Sequence, residues 1–165
     1  MDLHDWLIEH VDRTYQKGNW AGTGVRPALE GVNTTVAAWR PHPEQHTIAE
    51  LALHMAYWKD AAGARAAGRS WTYDEHQDWR TVPGTEQGWA HAQSELQAAH
   101  ARLMTDLRAL PADRLMVPVS PTPGQTRVLQ AIDLVVDIAT HDHYHAAQIF
   151  VLKRLHGTRA RSGAA

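Results

Sequence analysis

The sequence lacks or is poor in three features that define common protein classes. It has no cysteine, which excludes disulfides, thiolate metal sites and a protein thiol nucleophile. Its 16 basic and 18 acidic side chains nearly balance, so we expect no nucleic-acid partner. No apolar run approaches the roughly 20 residues of a membrane span, and the acidic, amphipathic start MDLHDWLIEH does not resemble a signal peptide. We therefore expect a soluble, cytoplasmic protein without a membrane or nucleic-acid partner.

Two residue types are abundant instead: there are 12 histidines, and there are 7 tryptophans beside a single phenylalanine. The 165 residues are enough for one domain with a real core and too few to expect two. We assign residues 1–156 to this single domain. The last residues, 157–165, are small and polar, so we expect them to form a flexible tail.

Four long segments have the apolar period of a helix, at about residues 2–17, 47–67, 85–110 and 126–155. The second begins with Thr47-Ile-Ala-Glu50, which matches a helix capping box. One or two short helical turns are expected within 26–38, and loops within 70–84 and 117–125. Four amphipathic helices with long connections predict an all-α protein, a four-helix bundle.

The segment ATHDHYHAAQIF, residues 139–150, carries three histidines at alternate positions. In a strand all three would share a face, whereas a helix turns by about 100° per residue. The apolar residues from Leu134 to Leu152 recur every three or four positions together with His141 and His145, which indicates a helix. His141 and His145 then share one face, and His143 points away.

A His-x-x-x-His pair on one helical face suits a metal ion, although 12 histidines would produce about one such spacing by chance. His42 and His46 have the same spacing in a proline-bounded loop, and we interpret that pair as accidental. Two imidazoles in an apolar stripe need partners, because an unsatisfied buried polar group costs about 1–3 kcal/mol. A metal would supply partners for His141 and His145 at once. The alternative is a pair of core histidines bonded to carbonyls or a carboxylate.

A third ligand would have to come from another helix, and the pattern of residues leaves three candidates. His54 lies mid-helix in the buried stripe of the second long segment and is the best placed. His100 is similarly placed on the third segment, and His10 is on the first. Each of them, read alone, is more often a satisfied core histidine than a ligand.

Two segments resemble those of a known family, the DinB-like superfamily. THDHYHAAQIFVLKRL is similar to its last long helix, and TIAELALHMAYWKD is similar to its second; NWAGTGVRPALEGV and the Asp78-Trp79 pair also match in order. Ala147 departs from the pattern, because many members have glycine there. The resemblance implies a four-helix bundle, often a homodimer, with one divalent metal held by His54, His141 and His145. His100 and His10 would then be structural.

Three neutral imidazoles leave at least one coordination position open, as in catalytic sites. Zinc or nickel fits best, and iron or manganese would also be accommodated. The family that this sequence resembles includes metal-dependent hydrolases and transferases that use low-molecular-weight thiols such as bacillithiol or mycothiol. A bound water or a bound thiol would lose its proton at such a metal, so both reactions on a small-molecule substrate are hypotheses here. The alternative is a non-catalytic, metal-stabilised dimeric interaction or stress-response module.

Two polar residues are weak candidates for a catalytic role. Glu50 lies one turn before His54 and could act as a general base, although helix capping is the competing explanation. Gln148 lies about one turn after His145 and could bond a bound ligand or satisfy a carbonyl.

Overall fold

The computed structural model describes residues 1–119 and 128–162, the last four by their backbone alone. The elements are, in chain order, α1 (Leu3–Gln16), β1 (Gly18–Asn19), β2 (Gly22–Thr23), α2 (Val25–Leu29), α3 (Thr34–Ala38), α4 (Ile48–Ala66), α5 (Glu75–Asp78), α6 (Glu86–Ala109), a 3₁₀ helix (Ala112–Met116) and α7 (Ala131–Ser162). The predicted all-α four-helix bundle is confirmed, with α1, α4, α6 and α7 as its long helices. None of the described helices is both long and apolar enough to span a membrane.

The long helices begin where side chains replace missing backbone partners. Asp2 accepts a hydrogen bond from the amide of Asp5, and Thr85 accepts one from the amide of Gly88. Thr47 and Glu50 form the predicted capping box at the start of α4. These bonds satisfy amides that have no partner within the first helical turn.

A small hairpin, β1 paired antiparallel with β2, was not predicted from the sequence. Each strand has two residues, too few for an alternating pattern to be visible. Gly18 has a φ of +96°, and a side-chain Cβ there would lie only 2.3 Å from the Gly22 carbonyl oxygen. Glycine is therefore required at this turn, because other residues rarely adopt positive φ.

The bundle core consists of two apolar clusters separated by polar side chains. α4 packs against α6 and α7, and α1 packs against α7. One cluster takes side chains from α2, α3 and the first half of α4, and the other takes them from α1 and the first part of α7. Between the clusters lies what we call the polar layer, whose buried members include Thr14, His54, Lys59, His100, Asp142 and His145.

The last helix differs from the prediction at both ends. It begins at Ala131, and the predicted start at Thr126 lies outside the described residues. It continues through Ser162, past the predicted end near residue 155, and residues 163–165 lie outside the description. His156 packs edge-on against Trp39, and Gly157 costs only about 1 kcal/mol in a helix interior, so the helix need not end there.

Candidate metal centre

Three imidazoles from two helices meet at one end of the polar layer. The Nε2 atom of His141 lies 3.1 Å from Nε2 of His54 and 3.1 Å from Nε2 of His145. His54 comes from α4, and the other two lie one turn apart on α7. Within the described ranges 1–119 and 128–162, the cluster with metal-ligand geometry consists of these three residues, whose ligand atoms lie within 4.8 Å of one another.

Burial keeps all three imidazoles neutral at physiological pH. It lowers the pKa of His54 and of His145 to about 4, and that of His141 to about 2. The neighbouring imidazoles lower the pKa of His141 further, because a second positive charge would be unfavourable there. Neutral imidazole is the form that binds a metal, so protons do not compete for the nitrogen lone pairs near neutral pH.

The outer ring nitrogens of two of these histidines have acceptors beside them. His145 Nδ1 donates to Gln148 Oε1 at 2.6 Å. His54 Nδ1 lies 2.6 Å from Asp78 Oδ1, although neither atom has a hydrogen-bond partner of good geometry. Each acceptor favours the tautomer with its proton on Nδ1, which leaves a lone pair on Nε2.

The facing Nε2 atoms provide a test of whether these residues fit a cation. If His54 and His145 both present lone pairs, the single proton of His141 Nε2 can satisfy only one of them. A cation among the three nitrogens would satisfy all of them. Bonds of about 2.0–2.1 Å at tetrahedral angles separate two ligand nitrogens by roughly 3.3 Å, close to the observed spacings. The donor set therefore fits a divalent metal ion.

The three histidines open onto a cleft of about 760 Å³, a volume within the ordinary range for ligand sites. We call it the histidine cleft; besides the three histidines, its walls are formed by Pro41, Gln45, His46, Leu51, Trp58, Asp78, Trp79, Tyr144, Ala147, Gln148, Val151, Leu152 and Leu155. Trp79 lies flat between His46 and His54, with ring centroids 3.6 Å and 3.8 Å away. This stack fixes the wall beside the histidines.

The sequence of this chain matches a known protein family. Residues 19–149 match the DinB superfamily. The chain belongs to the DinB superfamily. The matched range includes all three histidines, in agreement with the resemblance seen in the sequence. A search of the curated proteins finds no match for this chain.

Two solved structures share the fold of this DinB-superfamily chain. A conserved protein from Enterococcus faecalis superposes with a TM-score of 0.67 at 15% identity, over 94% of this chain and 97% of that one. YfiT from Bacillus subtilis, a probable metal-dependent hydrolase with an unusual four-helix bundle topology, gives a TM-score of 0.63 at 15% identity, over 93% and 87% of the two chains. At such low identity the likeness shows a common fold.

Asp78 is the site residue that the sequence analysis missed as a partner of His54. It ends the four-residue helix α5 in the tryptophan-rich loop and accepts a hydrogen bond from the Tyr73 hydroxyl at 3.1 Å. Burial raises the pKa of Asp78, and hydrogen bonds from Tyr73 and Trp58 partly oppose that shift. Its sequence signal was only the Asp-Trp pair, because a loop carboxylate has no periodicity to reveal which histidine it meets.

The other candidate histidines do not join the cluster. His100 Nε2 lies 3.0 Å from Asp12 Oδ1, and its ring stacks on Tyr15 at 3.8 Å. His10 stacks on Trp6 near the surface. His143 points away from His141, as predicted, and its Nδ1 lies 3.3 Å from the Thr23 carbonyl oxygen.

The two weak catalytic candidates have different environments. Glu50 is buried, bonds the Thr47 amide and lies 2.6 Å from Arg40, and it does not line the histidine cleft. Its surroundings therefore favour the capping role. Gln148 lines the cleft but uses its carbonyl oxygen to hold His145. Gln148 thus orients a candidate ligand in this conformation.

A buried ion pair lies deeper in the polar layer and was not predicted. Lys59 Nζ lies 2.5 Å from Asp142 Oδ2, and both side chains are completely buried. Lys59 also lies 5.0 Å from the ring centroid of Tyr15. Burial raises the pKa of Asp142, although the Lys59 charge acts in the opposite direction. The pair joins α4 to α7 next to the helical turns that carry the three histidines.

Proposed function

We propose that this chain is a metal-dependent enzyme in which His54, His141 and His145 hold one divalent ion at the base of the histidine cleft. The observation that carries the proposal is the convergence of three neutral Nε2 atoms on one point beside a cleft of ligand size. Zinc and nickel are the ions we favour for an all-imidazole donor set, with iron or manganese as further options. Residues 1–156 would form the single domain that carries this activity.

Hydrolysis of a small molecule is the reaction that we place first. A divalent ion with three protein ligands lowers the pKa of bound water from 15.7 towards about 7, which makes hydroxide available at neutral pH. Asp78 and Gln148 would hold His54 and His145 in the ligating tautomer, and such outer contacts commonly support metal affinity. The likeness to YfiT, a probable metal-dependent hydrolase, supports this choice.

Transfer of a low-molecular-weight thiol is the second candidate. A thiol coordinated to a divalent ion loses its proton and becomes a nucleophile. The observation that favours it is the apolar wall of the histidine cleft, which would shelter a thiolate from water. The chain has no cysteine, so the sulfur would have to arrive with the substrate.

We also propose that the protein forms a homodimer through an exposed apolar stripe of α7 at the rim of the histidine cleft. Tyr144, Val151 and Leu155 line that rim and are 61%, 54% and 46% exposed. Exposed apolar residues in a contiguous stripe mark interaction surfaces more often than single ones do. Sedimentation at several protein concentrations tests this, and a monomer at every concentration would contradict it.

Metal content per chain tests the proposed function directly. Untagged protein, purified without chelator, should contain about one divalent ion per chain. His54→Ala, His141→Ala and His145→Ala should each lose it. His143→Ala is the matched control, because it removes an imidazole from the same helix without touching the cluster. Wild-type protein without metal, even after zinc or nickel is supplied, would overturn the proposal.

Activity is the second part of the test. Metal-loaded protein should hydrolyse small esters or amides, and stripping the metal should abolish the reaction. Readdition of the ion should restore it. A chain that binds metal stoichiometrically but hydrolyses nothing and accepts no thiol would instead favour the non-catalytic, metal-stabilised module.

A further inference from the structure

The wall of the histidine cleft is mostly apolar, a property that the three candidate metal ligands do not account for. Of its remaining polar residues, Asp78 accepts a hydrogen bond from Tyr73 and lies beside His54, and Gln148 accepts one from His145. His46 stacks on Trp79, and Gln45 and Tyr144 complete the polar part of the wall. The other wall positions are mostly apolar or aromatic, namely Pro41, Leu51, Trp58, Trp79, Ala147, Val151, Leu152 and Leu155. A molecule that fills this space would therefore contact carbon over most of its surface.

No lysine or arginine lines this cleft among the residues that the structure describes. The nearby cation of Arg40 is already committed, since its guanidinium bonds the Glu50 carboxylate and the Gln45 carbonyl oxygen. A substrate carboxylate or phosphate would thus find no free lysine or arginine in the described part of the wall. Burying such a group without a partner is strongly unfavourable.

A second cleft of similar size has a different lining, with charged side chains in its wall. This second cleft has a volume of about 720 Å³ and lies beside His100. It includes Arg26 and Arg108 among its lining residues, together with Asp12 and Glu30. We call it the arginine cleft.

We propose that the substrate of the histidine cleft has an uncharged, apolar body and a single group that binds the metal. This inference rests on the proposed function, because the metal would supply the positive charge that binds that group. Aryl or alkyl thiols, esters and amides have this chemistry. Molecules that carry an additional carboxylate or phosphate on the body do not.

Cobalt-substituted protein and two matched thiols test the proposal. Phenylmethanethiol and 4-(sulfanylmethyl)benzoate share the thiol and the ring, and they differ in one carboxylate. Thiolate coordination to cobalt gives a charge-transfer absorption band that can be titrated without turnover. We expect the neutral thiol to bind about tenfold more tightly or better, because the carboxylate would meet the apolar wall.

Two valine variants of α7 sharpen the test. Val151 lines the cleft and is 54% exposed in the single chain, so Val151→Lys should leave the chain folded and should place a cation at the cleft wall, even where it weakens the proposed dimer. We expect it to improve binding of the carboxylate thiol about threefold or more. Val136→Lys is the matched control, because Val136 is 41% exposed on the same helix but does not line the cleft. It should leave both affinities unchanged.

The outcomes separate the two proposals. Failure of the protein to bind cobalt would overturn the proposed function and this inference with it. Stoichiometric cobalt binding with equal affinities, with a preference for the carboxylate thiol, or with no response to either thiol would overturn the inference alone. A neutral-thiol preference that Val151→Lys narrows and Val136→Lys does not would support it.

Discussion

The two ends of the polar layer accommodate buried polar side chains in different ways. Lys59 and Asp142 are completely buried and pair directly at 2.5 Å, although the other carboxylate oxygen of Asp142 has no hydrogen-bond partner. The three histidines are neutral, the Nε2 atoms of His54 and His145 lie 3.1 Å from that of His141, and all three border the histidine cleft. The ion pair balances its two charges within the chain. A cation would give the facing imidazole nitrogens a common partner, which is why we propose a function for the histidine cluster and a structural role for the pair.

The ion pair and the histidine cluster are adjacent because the same two helices carry both. A buried ion pair is expensive to form, and it tolerates little displacement of its partners. Lys59 on α4 and Asp142 on α7 therefore restrict how these helices slide along each other. His54 lies on α4, and His141 precedes Asp142 directly on α7. The contact that aligns the two helices thus also brings the imidazoles of His54 and His141 together.

Acid should have the largest effect on the free energy of unfolding, and the two ends of the polar layer should contribute to it with opposite signs. In the metal-free protein, burial lowers the pKa of His54, His100 and His145 from 6.5 to about 4. The unfolded state therefore binds protons that the folded state does not, and the free energy of unfolding falls as the pH drops from 6.5 towards 4. Asp142 acts in the opposite sense, because its raised folded pKa favours proton binding by the folded state.

We expect this proton uptake to remove a large part of a typical total stability of about 5–15 kcal/mol, so the metal-free protein should be strongly destabilised between pH 6.5 and 4. Circular dichroism during urea titrations at several pH values measures it. The double variant Lys59→Met with Asp142→Leu should still lose stability between pH 6.5 and 4, because the buried imidazoles remain. Stability that stays constant from pH 7 to 4 would contradict the assignment of neutral, buried histidines.

Removal of one member of the ion pair should have the next largest effect. Lys59→Met leaves the Asp142 carboxylate buried without its cation, which should lower the free energy of unfolding by about 3–5 kcal/mol. Chemical denaturation at neutral pH measures the change. The double variant with Asp142→Leu should recover most of the loss. Arg69→Ala is an exposed control, since it breaks a surface pair with Asp106 that is worth at most about 1 kcal/mol.

Loss of the Asp78 carboxylate should weaken metal binding without unfolding the protein. Asp78→Asn removes the charge beside His54 Nδ1, and we expect the metal dissociation constant to rise about 10- to 100-fold. Competition with a chromogenic chelator measures that constant. Asp106→Asn provides a control carboxylate outside the cluster. If both variants bound metal like the wild type, Asp78 would not be orienting His54.

The smallest effect is expected from Glu50, whose role in capping competes with a catalytic one. Glu50→Gln keeps a side chain that can cap the helix, so metal content should be unchanged and kcat/KM should change less than about threefold. A general base would instead contribute about 10²–10⁴-fold to the rate. Steady-state kinetics of the metal-loaded variant decides between the two roles. A loss of 100-fold or more would restore Glu50 as a catalytic candidate.

The local elements of the fold could be predicted because local spacing and capping determine them. The Thr47-Glu50 capping box and the direction of His143 away from His141 both follow from helical geometry, and both are found. The prediction of which residues of α7 are most buried was less accurate. Asp142 and Ala146 are fully buried, whereas His141 lies at the border of the cleft. Apolar periodicity alone does not predict a charged residue among the most buried positions of a helix.

The sequence by itself determined the four long helices, the one-turn spacing of His141 and His145, and the family, because each depends on residues close together in the chain. The family resemblance also named His54 as the third member, but the pattern of residues left His54, His100 and His10 open. The tertiary structure decided that His54 meets the pair while His100 bonds Asp12, and that Asp78 reaches His54 from a loop. Lys59 finds Asp142 across 83 positions of sequence separation. Such contacts depend on how the helices rotate and slide when the whole core packs, and no local pattern records that choice.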